Sequence, residues 1–174
     1  MAIEAFAAQN CSIARTLSIV GERWTLLVLT ELFLGRRRFD EIQAERPIAS
    51  NILSQRLATL VEEGIAERHR YSEHPERFEY RLTDKGRELL PVQLALLRWG
   101  DKYTAGKAGP PLETVHADCG HAFHMVPTCS HCGEEVKPTS IRPPPAGCAR
   151  RPGPAPMERR RRAPTRARRA AGRT

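Results

Sequence analysis

Aromatic side chains are scarce in this sequence, at 6% of 174 residues. Long apolar runs are missing too. The longest near-continuous one, Leu26 to Leu34, is broken by Glu31 and falls well short of the roughly 20 apolar residues a membrane helix needs. The opening residues contain Glu4 and no basic cluster, so no secretory signal is expected. There is no glycine-rich phosphate loop, no HExxH, no GxSxG and no paired carboxylates in a plausible cleft. Together these absences argue against secretion, membrane spanning and a large multidomain enzyme. What is present is length enough for one modest core with appendages.

Charge is distributed unevenly. From Pro138 to Thr174 there is no Lys, one acid (Glu158) and eleven Arg, a net charge of +10, along with eight of the fourteen Pro. Residues 1 to 137 hold 17 basic and 19 acidic residues, so the overall +8 describes the tail and not the body. A segment that is rich in Arg and Pro and poor in aliphatic side chains cannot offset its ordering entropy by burial, and it is expected to be disordered. The expected organisation is an N-terminal arm over 1–10, a patterned domain over 11–110, a Cys/His segment over 113–137 and the tail over 138–174.

The patterned region reads as helices, a hairpin and a helix. Asn10 is suited to cap a first helix in which Ile13, Leu17 and Val20 recur on one face, closed by Gly21. Trp24 to Leu34 predicts a second, buried helix ended by Gly35, and Phe39 to about Glu45 a short third. Pro47 interrupts. Ser50 to Glu63 predicts a fourth helix with a stripe of Leu53, Leu57, Leu60 and Val61, stopped by Gly64. A strand from Ile65 to Tyr71 follows, then a six-residue gap containing Pro75, then alternation at Phe78, Tyr80 and Leu82. Thr83 is expected to cap a long last helix reaching about Tyr103, bent rather than ended by Pro91.

Two short helices joined by a tight turn and followed by a hairpin give the order of a winged helix-turn-helix: mainly α with a small β wing. The fourth helix is then the recognition helix. Ser50, Asn51, Ser54 and Gln55 lie on its polar face near the N-terminus, and Asn and Gln can pair two atoms of adenine in the major groove. Arg56, on the same helix, is also expected to contact DNA. Arg36, Arg37 and Arg38 before the motif, and Arg68, Arg70, Arg77 and Arg81 on the hairpin, suit phosphates, with Arg77 at the wing tip able to enter a minor groove. Singly, each is an ordinary polar surface residue; their order is what points to double-stranded DNA, and so to a cytoplasmic, nucleoid-associated protein.

The run from Cys11 to Tyr103 resembles the HxlR-type winged-helix transcription regulators, relatives of the MarR group. The resemblance is carried by Cys11-Ser12-Ile13-Ala14, Gly21-Glu22-Arg23-Trp24-Thr25, Arg38-Phe39-Asp40-Glu41-Ile42, Leu53-Ser54-Gln55-Arg56-Leu57, Glu79-Tyr80-Arg81-Leu82-Thr83 with Gly86, and Arg98-Trp99. It implies a homodimer built by the terminal helices on a two-fold-related operator, with repression as the expected sense and a small-molecule or redox effector. The sequence departs from the family at Ala49, where Ser or Thr is common, so Ser50 is a candidate cap. In some relatives the cysteine at position 11 senses redox change or electrophiles. Here Cys11 is expected at the first position of a helix, whose dipole favours the thiolate; the alternative is an unreactive packing residue.

His116-Ala117-Asp118-Cys119-Gly120 and Cys129-Ser130-His131-Cys132-Gly133 share one pattern: ligand, two residues, Cys, Gly. Tetrahedral zinc takes three Cys and one His, so His116, Cys119, Cys129 and Cys132 are the expected ligands of a structural zinc. His121, His124 and His131 are competitors of His116, and disulfides are disfavoured in a cytosolic chain. Two other readings stay open at this level. The winged helices can be a dimer scaffold whose Cys/His segment and tail bind a protein, and the tail can be the product of a shifted reading frame in GC-rich DNA.

Overall fold

The computed structural model describes residues 11–142. Helix α1 (Ser12–Val20) has Cys11 in extended conformation at its N-cap and ends where the Gly21 N–H donates to the Leu17 carbonyl. Cys11 is therefore the cap and not the first helical residue; Asn10, the expected cap, lies outside the described residues. Helix α2 (Thr25–Phe33) is mostly apolar and runs through the middle of the domain. Gly35 ends it with φ +87°, a conformation that costs glycine little.

Helices α3 (Phe39–Glu45) and α4 (Ser50–Glu62) follow at the predicted positions. Val28, Leu29, Ile42, Leu53, Leu57 and Leu60 are each at most 1% exposed and form the centre of the core, joined by Val20, Ile48 and Ile65. The predicted stripe of α4 thus faces inward, with Val61 packed at its margin. The stripe of α1 behaves differently. Val20 is buried, but Ile13 is 72% and Leu17 48% exposed.

Strands β1 (Ala66–Glu73) and β2 (Glu76–Leu82) form an antiparallel hairpin with a bulge between Arg70 and Ser72. Pairing continues to Glu73 opposite Glu76, so the turn is only His74–Pro75 and not the six-residue gap expected. The bulge absorbs the odd residue and lets the alternating pattern run to the tip. An isolated bridge between Arg38 and Glu79 ties the segment before α3 to β2.

The last helical segment departs from expectation. Thr83 caps it as predicted, its hydroxyl accepting from the Gly86 N–H, but the helix breaks into α5 (Asp84–Arg87) and α6 (Leu90–Thr104). Pro91 sits in the first turn of α6, where its missing N–H costs no hydrogen bond; in an unbroken helix its ring would meet the carbonyl of Arg87. Gly86 is buried because its backbone lies against the Ile65 carbonyl, where a Cβ would collide. Helix α6 docks on α2 through Gln93, whose amide donates to the Leu26 carbonyl at 2.7 Å.

Candidate nucleic-acid interface

Between α3 and α4 the chain turns through Arg46 to Ala49. The Arg46 N–H closes α3 on the Ile42 carbonyl, and Ile48 is buried to anchor the turn. Ala49 is the N-cap of α4 and offers no side-chain acceptor, so Ser50 is the first helical residue and not the cap. Its hydroxyl instead accepts from the Gln43 amide at 2.6 Å, which ties the two helices together. Asn51, Ser54 and Gln55 are exposed on the face opposite Leu53, Leu57 and Leu60. Burying three leucines in the core therefore aims three short polar side chains outward. Arg56 does not join them: its side chain is only 12% exposed and lies 3.8 Å from Glu22 in the turn between α1 and α2. It is one residue from Leu57, at the edge of the buried stripe, and it packs inward.

The wing stands beside this surface. The Tyr80 N–H donates to the Arg37 carbonyl at 2.7 Å, so the segment before α3 is stitched to β2. The Arg38 guanidinium lies 4.4 Å from the Tyr71 ring centre. Arg68 stacks 3.9 Å over Phe78. Arg70 pairs with Glu73 and Glu76, and Arg81 pairs with Glu79. Arg37 and Arg77 are exposed and have no ion pair among the described residues. Arg77, opposite Ser72 next to the turn, projects at the wing tip.

Arg36 is engaged by carboxylates of this chain. It lies 3.0 Å from Glu31 and 3.2 Å from Glu45. Glu31 is 1% exposed and also meets Arg46 at 2.6 Å. The acid that breaks the apolar run is thus a buried clamp holding both flanks of α3 to α2. The sequence signal for it was a lone carboxylate among leucines with arginines nearby; nothing in the spacing said which arginines would turn inward. At the start of α3 the Glu41 carboxylate accepts from the backbone N–H groups of Arg38 and Arg37, which hold its pKa below the ordinary Glu value, helped by the charges of Arg38 and Arg36.

Cys11 is exposed at the start of α1. Farther along the chain, two turns bring donors together in pairs. His116 Nδ1 lies 3.3 Å from Cys119 Sγ. The Cys129 thiol is held below its ordinary pKa by hydrogen bonds from the backbone N–H groups of Cys132 and His131 and from the Cys132 side chain. Among the described residues no group of three or more His, Cys, Asp or Glu side chains is placed to hold a metal, so the two pairs are not assembled into the four-ligand site expected from the spacing. The arm over 1–10 and the tail from 143 onward lie outside the described residues.

The model of the HxlR-like helix-turn-helix family matches residues 19–108. An "uncharacterized HTH-type transcriptional regulator" of Mycobacterium tuberculosis is 45% identical over 134 residues, covering 77% of this chain and 85% of the relative. A Bacillus subtilis protein of the same description, YdeP, is 36% identical over 96 residues, 55% of this chain and 75% of its own length. Among solved structures, PA1607, described as a candidate transcription factor, superposes with TM-score 0.70 at 32% identity, over 79% of this chain and 96% of that one. The redox regulator HypR in its reduced form gives TM-score 0.50 at 31% identity, over 53% of this chain and 92% of that one.

Proposed function

Because the chain belongs to the HxlR-like helix-turn-helix family, we propose that it is a transcription regulator that binds duplex DNA in a sequence-specific way as a homodimer, and that it represses. This reading places it with regulators and not with enzymes. The observation that carries it is the outward face of α4, where Asn51, Ser54 and Gln55 are exposed beside a wing tipped by Arg77. An α-helix fits the major groove, where such side chains meet base edges. The homodimer is supported by apolar surface left uncovered at both ends of the domain: Ile13 and Leu17 on α1, and Val92, Leu96, Trp99 and Tyr103 on α6. The last four recur at helical spacing, giving one continuous stripe. Two such recognition helices related by a two-fold axis would read a palindromic site. Selection of bound duplexes from a random library tests this. A two-fold-related motif is the expected result, and recovery of no motif would defeat the reading. A reporter placed behind that motif should rise when the gene is deleted; a fall would make the protein an activator.

A second reading concerns the effector. Cys11 is exposed at the N-cap of α1, next to the uncovered stripe of that helix, and the chain is similar to the redox regulator HypR. We infer that oxidation of Cys11 alters the dimer and hence DNA affinity. Mild peroxide should weaken binding by the native chain and leave Cys11→Ser unaffected; equal loss in both would remove Cys11 from the account.

A further inference from the structure

The segment after α6 repeats one loop twice. His116 N–H donates to the His121 carbonyl and Cys129 N–H to the Glu134 carbonyl, at 2.9 and 2.8 Å. Gly120 N–H returns to His116 and Gly133 N–H to Cys129, both at 2.8 Å. Bridges flank each loop at the same offset, Val115 with Ala122 and Thr128 with Glu135. Both glycines have positive φ, +69° and +75°, which the reversal requires and other residues resist. Two stretches that share little beyond ligand, Cys and Gly positions thus adopt the same hydrogen-bonded turn, with the two potential donors of each placed together at its mouth.

Three features support metal binding. The first is separation. Zn–S and Zn–N bonds of about 2.3 and 2.05 Å at a tetrahedral angle put the two ligand atoms about 3.6 Å apart. The His116–Cys119 pair stands at 3.3 Å, within a few tenths of that value. The second is chemistry: one turn carries Cys/Cys but its twin carries His/Cys, and a histidine can replace a cysteine as a ligand but not in a disulfide. The third is the absence of a core. No residue from 113 to 137 is buried, and Val115, Phe123 and Val126 are exposed, so hydrophobic packing does not hold this segment. A metal can supply the missing folding energy.

We propose that His116, Cys119, Cys129 and Cys132 bind one zinc ion per chain, which draws the two preformed turns together. The nine residues from Gly120 to Thr128 that link them can span up to about 30 Å, so length sets no barrier. The link is already held at one point, where Arg98 of α6 donates to the Met125 carbonyl at 2.7 Å. Four protein ligands leave no open position for substrate, so the ion is structural, and it fixes the segment against the end of α6.

The test uses the full-length chain purified without chelators, with metal content measured by elemental analysis and Co²⁺ substitution read by absorption. One zinc per chain and a tetrahedral, thiolate-rich Co²⁺ spectrum are expected. Cys132→Ser and His116→Ala should lose the metal and expose residues near 114–136 to protease, while far-ultraviolet circular dichroism reports unchanged helices. His116→Cys should keep it, with a Co²⁺ spectrum shifted toward four thiolates. Cys11→Ser should keep it unchanged. Native protein without stoichiometric zinc, a Cys129–Cys132 disulfide found by mass spectrometry in that protein, or retention of zinc by His116→Ala with loss in His121→Ala would each overturn the assignment. DNA binding plays no part in these readouts, so their failure leaves the proposed function standing.

Discussion

Asn51 and Gln55 are four residues apart on an exposed helical face, so the proposed readout gives each its own base pair. Replacing either with Ala should cost about 1–3 kcal/mol at one position of the selected motif and leave the others intact. Arg77→Ala should lower affinity for all sequences alike, because a phosphate or groove contact at the wing tip carries little base information. Competition binding against a panel of single-base variants separates the two patterns, and unchanged motifs in both α4 variants would remove that helix from the interface. Glu31 poses a different question at the same scale. It is buried with Arg36 and Arg46 half-covered around it. Removing both arginines leaves a buried carboxylate without its partners, so Arg36→Ala with Arg46→Ala should cost about 3–5 kcal/mol. Glu31→Gln keeps the shape and frees the arginines to reach solvent, and it should cost less. Urea denaturation of the two variants checks the order.

Among the elements, α6 has the least settled surroundings within one chain. It has no buried residue, and Trp99 and Tyr103 are each 61% exposed with their rings 5.4 Å apart. Exposed aromatic area of this kind on a helix that otherwise docks through Gln93 fits a surface awaiting a second copy. If α6 forms the proposed dimer, the native chain should sediment as a dimer and Trp99→Asp as a monomer, with little change in the melting of the α2–α4 core. The substitution should also weaken binding to the two-fold motif far more than to a half-site. A variant that stays dimeric would place the interface elsewhere.

For the whole molecule, charge is the feature that no single element contains. The body to residue 137 is near neutral, and the wing's Arg68, Arg70 and Arg81 are occupied by a ring or by carboxylates. The eleven arginines beyond Lys137 are then the main reservoir of positive charge. Each phosphate they neutralise releases counterions, adding roughly 0.9 to the slope of log affinity against log salt. Truncation after Lys137 should flatten that slope and lower affinity for all duplexes, while the selected motif survives and the specific-to-non-specific ratio holds or improves. An altered motif with an unaltered slope would mean that the tail reads bases. No change in either would make it a passive extension, as a shifted reading frame would produce.

Local pattern was enough to place most elements. The periodic leucines of α4, the alternation of Phe78, Tyr80 and Leu82, and the stops at Gly21, Gly35 and Gly64 each reflect short-range physics: side-chain spacing, strand pleat and backbone freedom. The outward face of α4 was legible for the same reason, because a helix that buries Leu53, Leu57 and Leu60 must present Asn51 and Gln55 on the other side. Which arginines face solvent was not legible. Arg36 and Arg56 look no different from Arg37 and Arg77 in sequence, and their fate depended on carboxylates brought from other elements, Glu31 from α2 and Glu22 from the turn before it. The stripe on α1 needed tertiary information as well: Ile13, Leu17 and Val20 have the spacing of core residues, but only packing in three dimensions left two of them uncovered. Likewise the sequence alone set the paired ligand-Cys-Gly turns, which are made by hydrogen bonds within five residues, whereas the distance between the two turns is a long-range quantity that the tertiary structure decides.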